Sequence, residues 1–117
     1  MGVGDATDDE RRARIASNEA LFRAVNEKIE SMNAAFATVV ETFTVVCECG
    51  DNGCVEQIEI AVPDYERVRK DPTLFIIVPG HEIPDVEDVV ERADGFALVK
   101  KEGAIGEEIA AATDPRA

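Results

Sequence analysis

Three cysteines fall in one short stretch, CECGDNGC over 47–54, and the 117-residue chain contains no others. An odd number of thiols packed this closely argues against a secreted disulfide scaffold, which uses four, six or eight cysteines. In a reducing compartment such a cluster reads as metal ligands. Cys47 and Cys49 are two apart, so on an extended strand both face the same way and Glu48 faces the other. The Gly-Asp-Asn-Gly segment that follows predicts a turn, which can return the chain and aim Cys54 at the same point.

A structural zinc takes four ligands, usually thiolate or imidazole. The chain has one histidine, His81. It sits in VPGHEIP, where Pro79 and Gly80 bend the chain and can present an imidazole. The expectation is one Zn2+ on Cys47, Cys49, Cys54 and His81. Glu82, Asp51 or a water are the alternatives for the fourth position. The C-x-C-x4-C spacing is less specific than paired C-x2-C motifs, and the bland alternatives are unligated thiols and a loop histidine bonded to backbone. A redox disulfide is a further alternative. Cys47–Cys49 would be strained, because residues two apart on a strand exceed the usual Cα separation of about 4.4–6.8 Å, whereas Cys54 can pair with either.

The other constraint lies upstream. Residues 1–6 read as a loose tail. Thr7 and Glu10 have capping-box spacing, and the acids around them suit a helix N-terminus. No Pro or Gly interrupts the chain from there to beyond residue 37, so one long helix over about residues 7–40 is expected. Ile15, Phe22, Ile29 and Phe36 recur every seven residues, with Asn18, Val25, Met32 and Val39 as the partner series. That seam fits either packing on the chain's own domain or contact with another protein or a second copy. Phe22, Val25, Ile29, Met32 and Phe36 would form the contact, with Asn18 setting register.

The rest, 41–117, reads as a small β-rich domain. A strand over 42–49 leads into the cysteines, and the alternation of Ile58, Ile60 and Val62 predicts a half-buried partner strand. Pro63 opens a short helix and Pro72 ends it. TLFIIV is a fully apolar strand, expected at a sheet centre. Asp94-Gly95 predicts a second hairpin, and GEEIAAATDPR a C-terminal helix. The fold class is therefore α+β, with a long N-terminal helix, two hairpins and short helices. So few residues outside the helix build a core worth only about 3–5 kcal/mol without a staple. Metal binding would supply one.

The formal net charge of −13 works against a nucleic-acid partner. Two basic clusters, Arg11/Arg12/Arg14 and Arg67/Arg69/Lys70, are set among acids and read as solvated helix surface. No apolar run approaches the ~18 residues a membrane helix needs. The N-terminus lacks a secretory signal, so a cytoplasmic location is expected. Ser17 and Ser31, the only serines, lie on the long helix, which removes a Ser-His-Asp triad from the folded domain. No phosphate-binding glycine loop exists. A Cys-His nucleophile pair has no supporting motif, and a small hydrolase would need an open metal position with Glu82 as general base. No catalytic residue is assigned.

The ordered strings NEALFRAVNEKIE, CECGDNGCVEQIEI, YERVRKDPTLFIIVPGHE, VVERADGFALVKK and TDPR resemble a group of small actinobacterial proteins over about residues 15–116. The resemblance implies a bacterial cytoplasmic setting and carries no activity. From the residues, the favoured reading is a structural-zinc protein that binds a protein partner or regulates one. A thiol sensor that releases zinc on oxidation is the rival.

Overall fold

The computed structural model describes residues 2–36, 41–51 and 53–116, with side chains from Asp8 to Met32 in the first of these stretches. The fold is α+β, in the order α1 (Gly2–Phe36), β1 (Thr42–Val46), β2 (Gln57–Ala61), α2 (Val62–Arg69), β3 (Leu74–Ile77), β4 (Glu87–Ala93), β5 (Phe96–Lys101) and α3 (Ala104–Ala112). The long helix starts at Gly2 and runs through the Thr7–Glu10 segment rather than beginning there. Its expected end near residue 40 lies outside the described residues. No described helix is long and apolar enough to cross a membrane.

Strands β1 and β2 form an antiparallel hairpin, pairing Phe43 with Ile60 and Val45 with Ile58. Those four side chains are the buried ones, as period-two alternation dictates. The second sheet has the order β3-β5-β4. Gly95, at φ +85°, turns β4 into β5, a conformation that glycine adopts at no steric cost. Tyr65 and Val68 of α2 pack onto the core, with Tyr65 edge-on to Phe43 at 5.1 Å between ring centroids. One continuous core therefore joins both sheets, α2 and α3.

TLFIIV is not the central strand; β3 sits at the sheet edge. Its apolar character has another cause. The Cys47–Cys49 segment covers its outer side: Glu48 N–H donates to Ile76 C=O at 2.8 Å, and Ile76 N–H donates to the Glu48 carboxylate at 3.0 Å. A strand flanked on both sides reads as central in sequence even when one neighbour is not a regular strand. β1 likewise stops at Val46, short of the expected residue 49, although the hairpin continues through Cys47 N–H to Glu56 C=O at 2.9 Å.

The buried face of α1 is also not the expected seam. Ile15, Ala16, Glu19, Ala20, Arg23 and Asn26 are buried. Ile29 packs against the core and Phe22 is half-buried, whereas Val25 and Met32 are exposed. The Phe36 side chain lies outside the described residues. Hydrophobic periodicity misplaced the face because its polar members bond to backbone. Asn26 brackets Val46, donating to its C=O at 2.8 Å and accepting from its N–H at 2.8 Å. Arg23 donates to Pro72 C=O at 2.5 Å and to Ala110 C=O at 2.8 Å, with Phe75 beneath it. Asn18, expected to set the register of a coiled coil, donates instead to Gly50 C=O at 3.0 Å.

Beside α3, Lys101 Nζ lies 2.7 Å from Glu19 and 3.4 Å from Glu87, with all three groups buried. One ammonium cannot balance two carboxylates in a low dielectric. Burial first, then the hydrogen bond and charge of Glu87, raise the Glu19 pKa from 4.5 to about 9. Because the folded value is the higher one, this contribution to stability is full below 4.5 and is lost as pH rises through about 9. Glu19→Gln, which mimics the protonated form, is expected to flatten the fall in urea-unfolding midpoint across that window. A midpoint profile parallel to that of the parent would refute the assignment.

Candidate metal centre

The end of β1 delivers Cys47 and Cys49 to one side, as their spacing predicts, while Glu48 turns into the core. Cys54 returns on a turn closed by its own N–H to Asp51 C=O at 3.0 Å, with Gly53 N–H donating to Asp51 Oδ1 at 2.9 Å. His81 arrives after β3. Gly80, at φ +96°, makes the bend, and His81 N–H closes it onto Val78 C=O at 3.0 Å. The four side chains meet: one ligand atom from each of Cys47, Cys49, Cys54 and His81 lies within 4.8 Å of every other. Among the described residues this is the cluster that could hold a metal ion.

The spacing itself tests the fit. Thiolate at about 2.3 Å and imidazole at about 2.0–2.1 Å from a tetrahedral ion place sulfur and nitrogen about 3.6 Å apart. His81 Nδ1 lies 3.6 Å from Cys47 Sγ and 3.7 Å from Cys54 Sγ. The other ring nitrogen, Nε2, lies 2.9 Å from Glu56 Oε2. Metal-bound histidines characteristically hand their second N–H to a carboxylate, which fixes the tautomer and points the ligand nitrogen inward. Glu56 thus orients His81. The sequence reading missed it, although it lies two residues past Cys54, the spacing that puts strand residues on one face.

Cys47 also accepts the Val78 N–H at 3.2 Å, a bond that favours a sulfur carrying negative charge. Without a cation, burial pushes both the Cys47 and Cys49 thiols upward. A bound cation reverses that preference, since a coordinating thiol is deprotonated outright. The other suggested ligands have other partners. Glu82 Oε1 accepts Gly80 N–H at 3.1 Å and its other oxygen lies 3.9 Å from Arg92. Asp51 is engaged in its own turn. Neither belongs to the four-residue cluster, and Glu82 is not placed as a general base there.

The metal loop is clamped from both sides. Asn18 holds Gly50 C=O, and a Cβ at Gly50 would sit 2.5 Å from Ile15 Cγ2 and 3.0 Å from Ile83 Cδ1. Gly50→Ala is therefore expected to cost about 1–3 kcal/mol as overpacking and to weaken metal retention by displacing Cys49. Chemical denaturation with and without chelator checks this, and an unchanged midpoint would contradict it. A cavity of about 230 Å³ flanks the cluster, lined by Cys49, Asp51, His81 and Ile83.

Four of the six residues in the basic clusters are paired with acids. Arg11 pairs with Asp85, Arg12 with Asp8, Arg67 with Glu91 and Asp64, and Arg69 with Glu48 in the interior.

No family model, no curated protein and no solved structure matches the chain.

Proposed function

We infer that the protein is a small zinc module: one structural Zn2+ on Cys47, Cys49, Cys54 and His81 holds the fold, and the outer face of α1 binds a protein partner. The observation that carries the metal assignment is the closed four-donor set with Glu56 behind the histidine. Thiolate-rich tetrahedral sites select zinc over the hard cations. With four protein donors the ion has no open position for water or substrate, which favours a structural ion over a hydrolytic one. Unpaired thiols and zinc suit a reducing compartment.

The proposed partner surface keeps Val25 and Met32 of the expected seam and adds Leu21. Leu21 at 59% exposure, Val25 at 39% and Met32 at 66% are apolar and exposed on α1. A groove beside Met32 is lined by Ala24, Glu27, Lys28, Ser31 and Pro115. A second copy of the chain is the alternative occupant.

Cobalt substitution tests the metal assignment. Loaded with Co2+, the protein should give the intense visible bands of a tetrahedral thiolate site, and Zn2+ should displace them. Weak octahedral bands would count against it. Partner capture with Leu21→Glu beside the parent tests the surface. The variant should keep its zinc and lose the captured protein, or lose self-association in light scattering. Identical capture and mass would count against that half.

A further inference from the structure

The three sulfurs are not equivalent. Cys47 and Cys49 are 1% and 2% exposed, whereas Cys54 is only partly buried. Cys47 is further shielded because its sulfur accepts the Val78 N–H. A metal ion keeps all three as thiolates, so access and hydrogen bonding decide which is oxidised. Cys54 lies on the solvent side, beside Val55, which is 83% exposed. Asp51 and Gly53, which precede Cys54 in the loop, are both exposed.

Resting on the metal assignment above, we propose that Cys54 is the peroxide-reactive sulfur of the cluster and that its oxidation to a Cys49–Cys54 disulfide releases the metal. The chemistry balances with hydrogen peroxide as oxidant. The Cys54 thiolate attacks one peroxide oxygen, the O–O bond breaks, and sulfenic acid and hydroxide form. The Cys49 thiolate then attacks the Cys54 sulfur, forming the S–S bond and expelling a second hydroxide. Two thiolates lose two electrons, and one peroxide becomes two hydroxides. The ion loses two of its four donors.

Both buried sulfurs lie within 4.8 Å of that of Cys54, so reach alone does not choose the resolving partner. Cys47 is fastened to β3 through the Val78 N–H, which leaves Cys49 the freer thiolate. Release is felt beyond the loop, because Gly50 C=O is the acceptor for Asn18 of α1. Oxidation therefore also loosens the middle of the long helix.

The test treats zinc-loaded protein with limiting hydrogen peroxide in the presence of a sulfenic-acid trap. Metal content is measured before and after, and peptides are mapped by mass. The trap should label Cys54 first. Without the trap, each oxidised chain should lose its metal and two hydrogens, with the Cys49–Cys54 peptide pair linked. Hydrogen exchange should rise in 47–54 and around Asn18. First labelling of Cys47 or Cys49, or metal retained by chains that carry the disulfide, overturns this proposal and leaves the zinc site standing. Absence of bound metal before any peroxide is added overturns the zinc assignment and this proposal with it.

Discussion

Cys47→Ser is expected to remove nearly all tight metal binding and to leave a chain that no longer folds cooperatively without added metal. Cys47 has two roles. It belongs to the four-residue cluster that could hold a metal ion, and its sulfur is the acceptor for Val78 N–H just past β3. Structural zinc contributes about 10–16 kcal/mol of apparent binding free energy in small zinc-dependent domains, and that free energy is folding free energy. A folded domain is stable by only about 5–15 kcal/mol in all, so loss of a metal contribution of that size would decide the balance. Chelator should therefore collapse the parent toward the behaviour of the variant and leave the variant itself unchanged. Near-ultraviolet circular dichroism and urea titration with and without chelator measure both. A variant as stable as the chelated parent supports a purely metal-linked loss, and chelator-resistant folding of the parent would contradict the expectation.

Glu48→Ala should be the most damaging change outside the metal ligands, at about 3–5 kcal/mol, because it leaves a buried charge without its partner. The Glu48 carboxylate is fully buried and occupied on both oxygens. It accepts from Arg69 at 2.7 Å, from Ile76 N–H at 3.0 Å and from Asn26 at 2.6 Å. Arg69 is itself 5% exposed and stacked over Tyr65 at 4.9 Å. Removing the carboxylate strands a guanidinium and a backbone N–H and takes one of two acceptors from the Asn26 amide. Those three groups come from α2, β3 and α1, so the loss is felt across the domain. The double change Glu48→Leu with Arg69→Met should recover much of the stability, since a buried pair is often replaceable by apolar groups of similar volume. Unfolding midpoints in excess zinc give both numbers. A loss under about 1 kcal/mol for Glu48→Ala would place the carboxylate in contact with water rather than in the core.

What could be read from sequence follows from which interactions leave a pattern there. The cysteine cluster did, because its spacing alone fixes a common side for Cys47 and Cys49 and sends Glu48 the other way. His81 was identified by inventory, since the chain offers no other imidazole. The Asp94-Gly95 turn and the buried Ile58 and Ile60 also followed from local rules, although Val62, expected on the same strand, opens α2. The long helix was also legible; what was not is most of its buried face. Its inward face carries Glu19, Arg23 and Asn26, whose burial depends on backbone carbonyls, amides and a lysine supplied by distant segments. No periodicity in residues 8–32 encodes the position of Val46, Pro72 or Ala110. Likewise β3 looked central because the covering neighbour, Cys47–Cys49, satisfies it partly through a carboxylate and a sulfur. Such side-chain substitutes for a strand are invisible to strand propensity. Glu56 was reachable in principle, two residues from Cys54, but its role appears only once His81 is brought across from the other side of the fold.

The most direct test of the account is the metal content of freshly reduced protein, purified without chelator and weighed intact under native conditions, beside His81→Ala. One zinc per chain in the parent and weakened retention in the variant is the expected result. A parent chain that carries no metal, and takes up none when Zn2+ is offered, would contradict the Cys47, Cys49, Cys54 and His81 site on which the account rests.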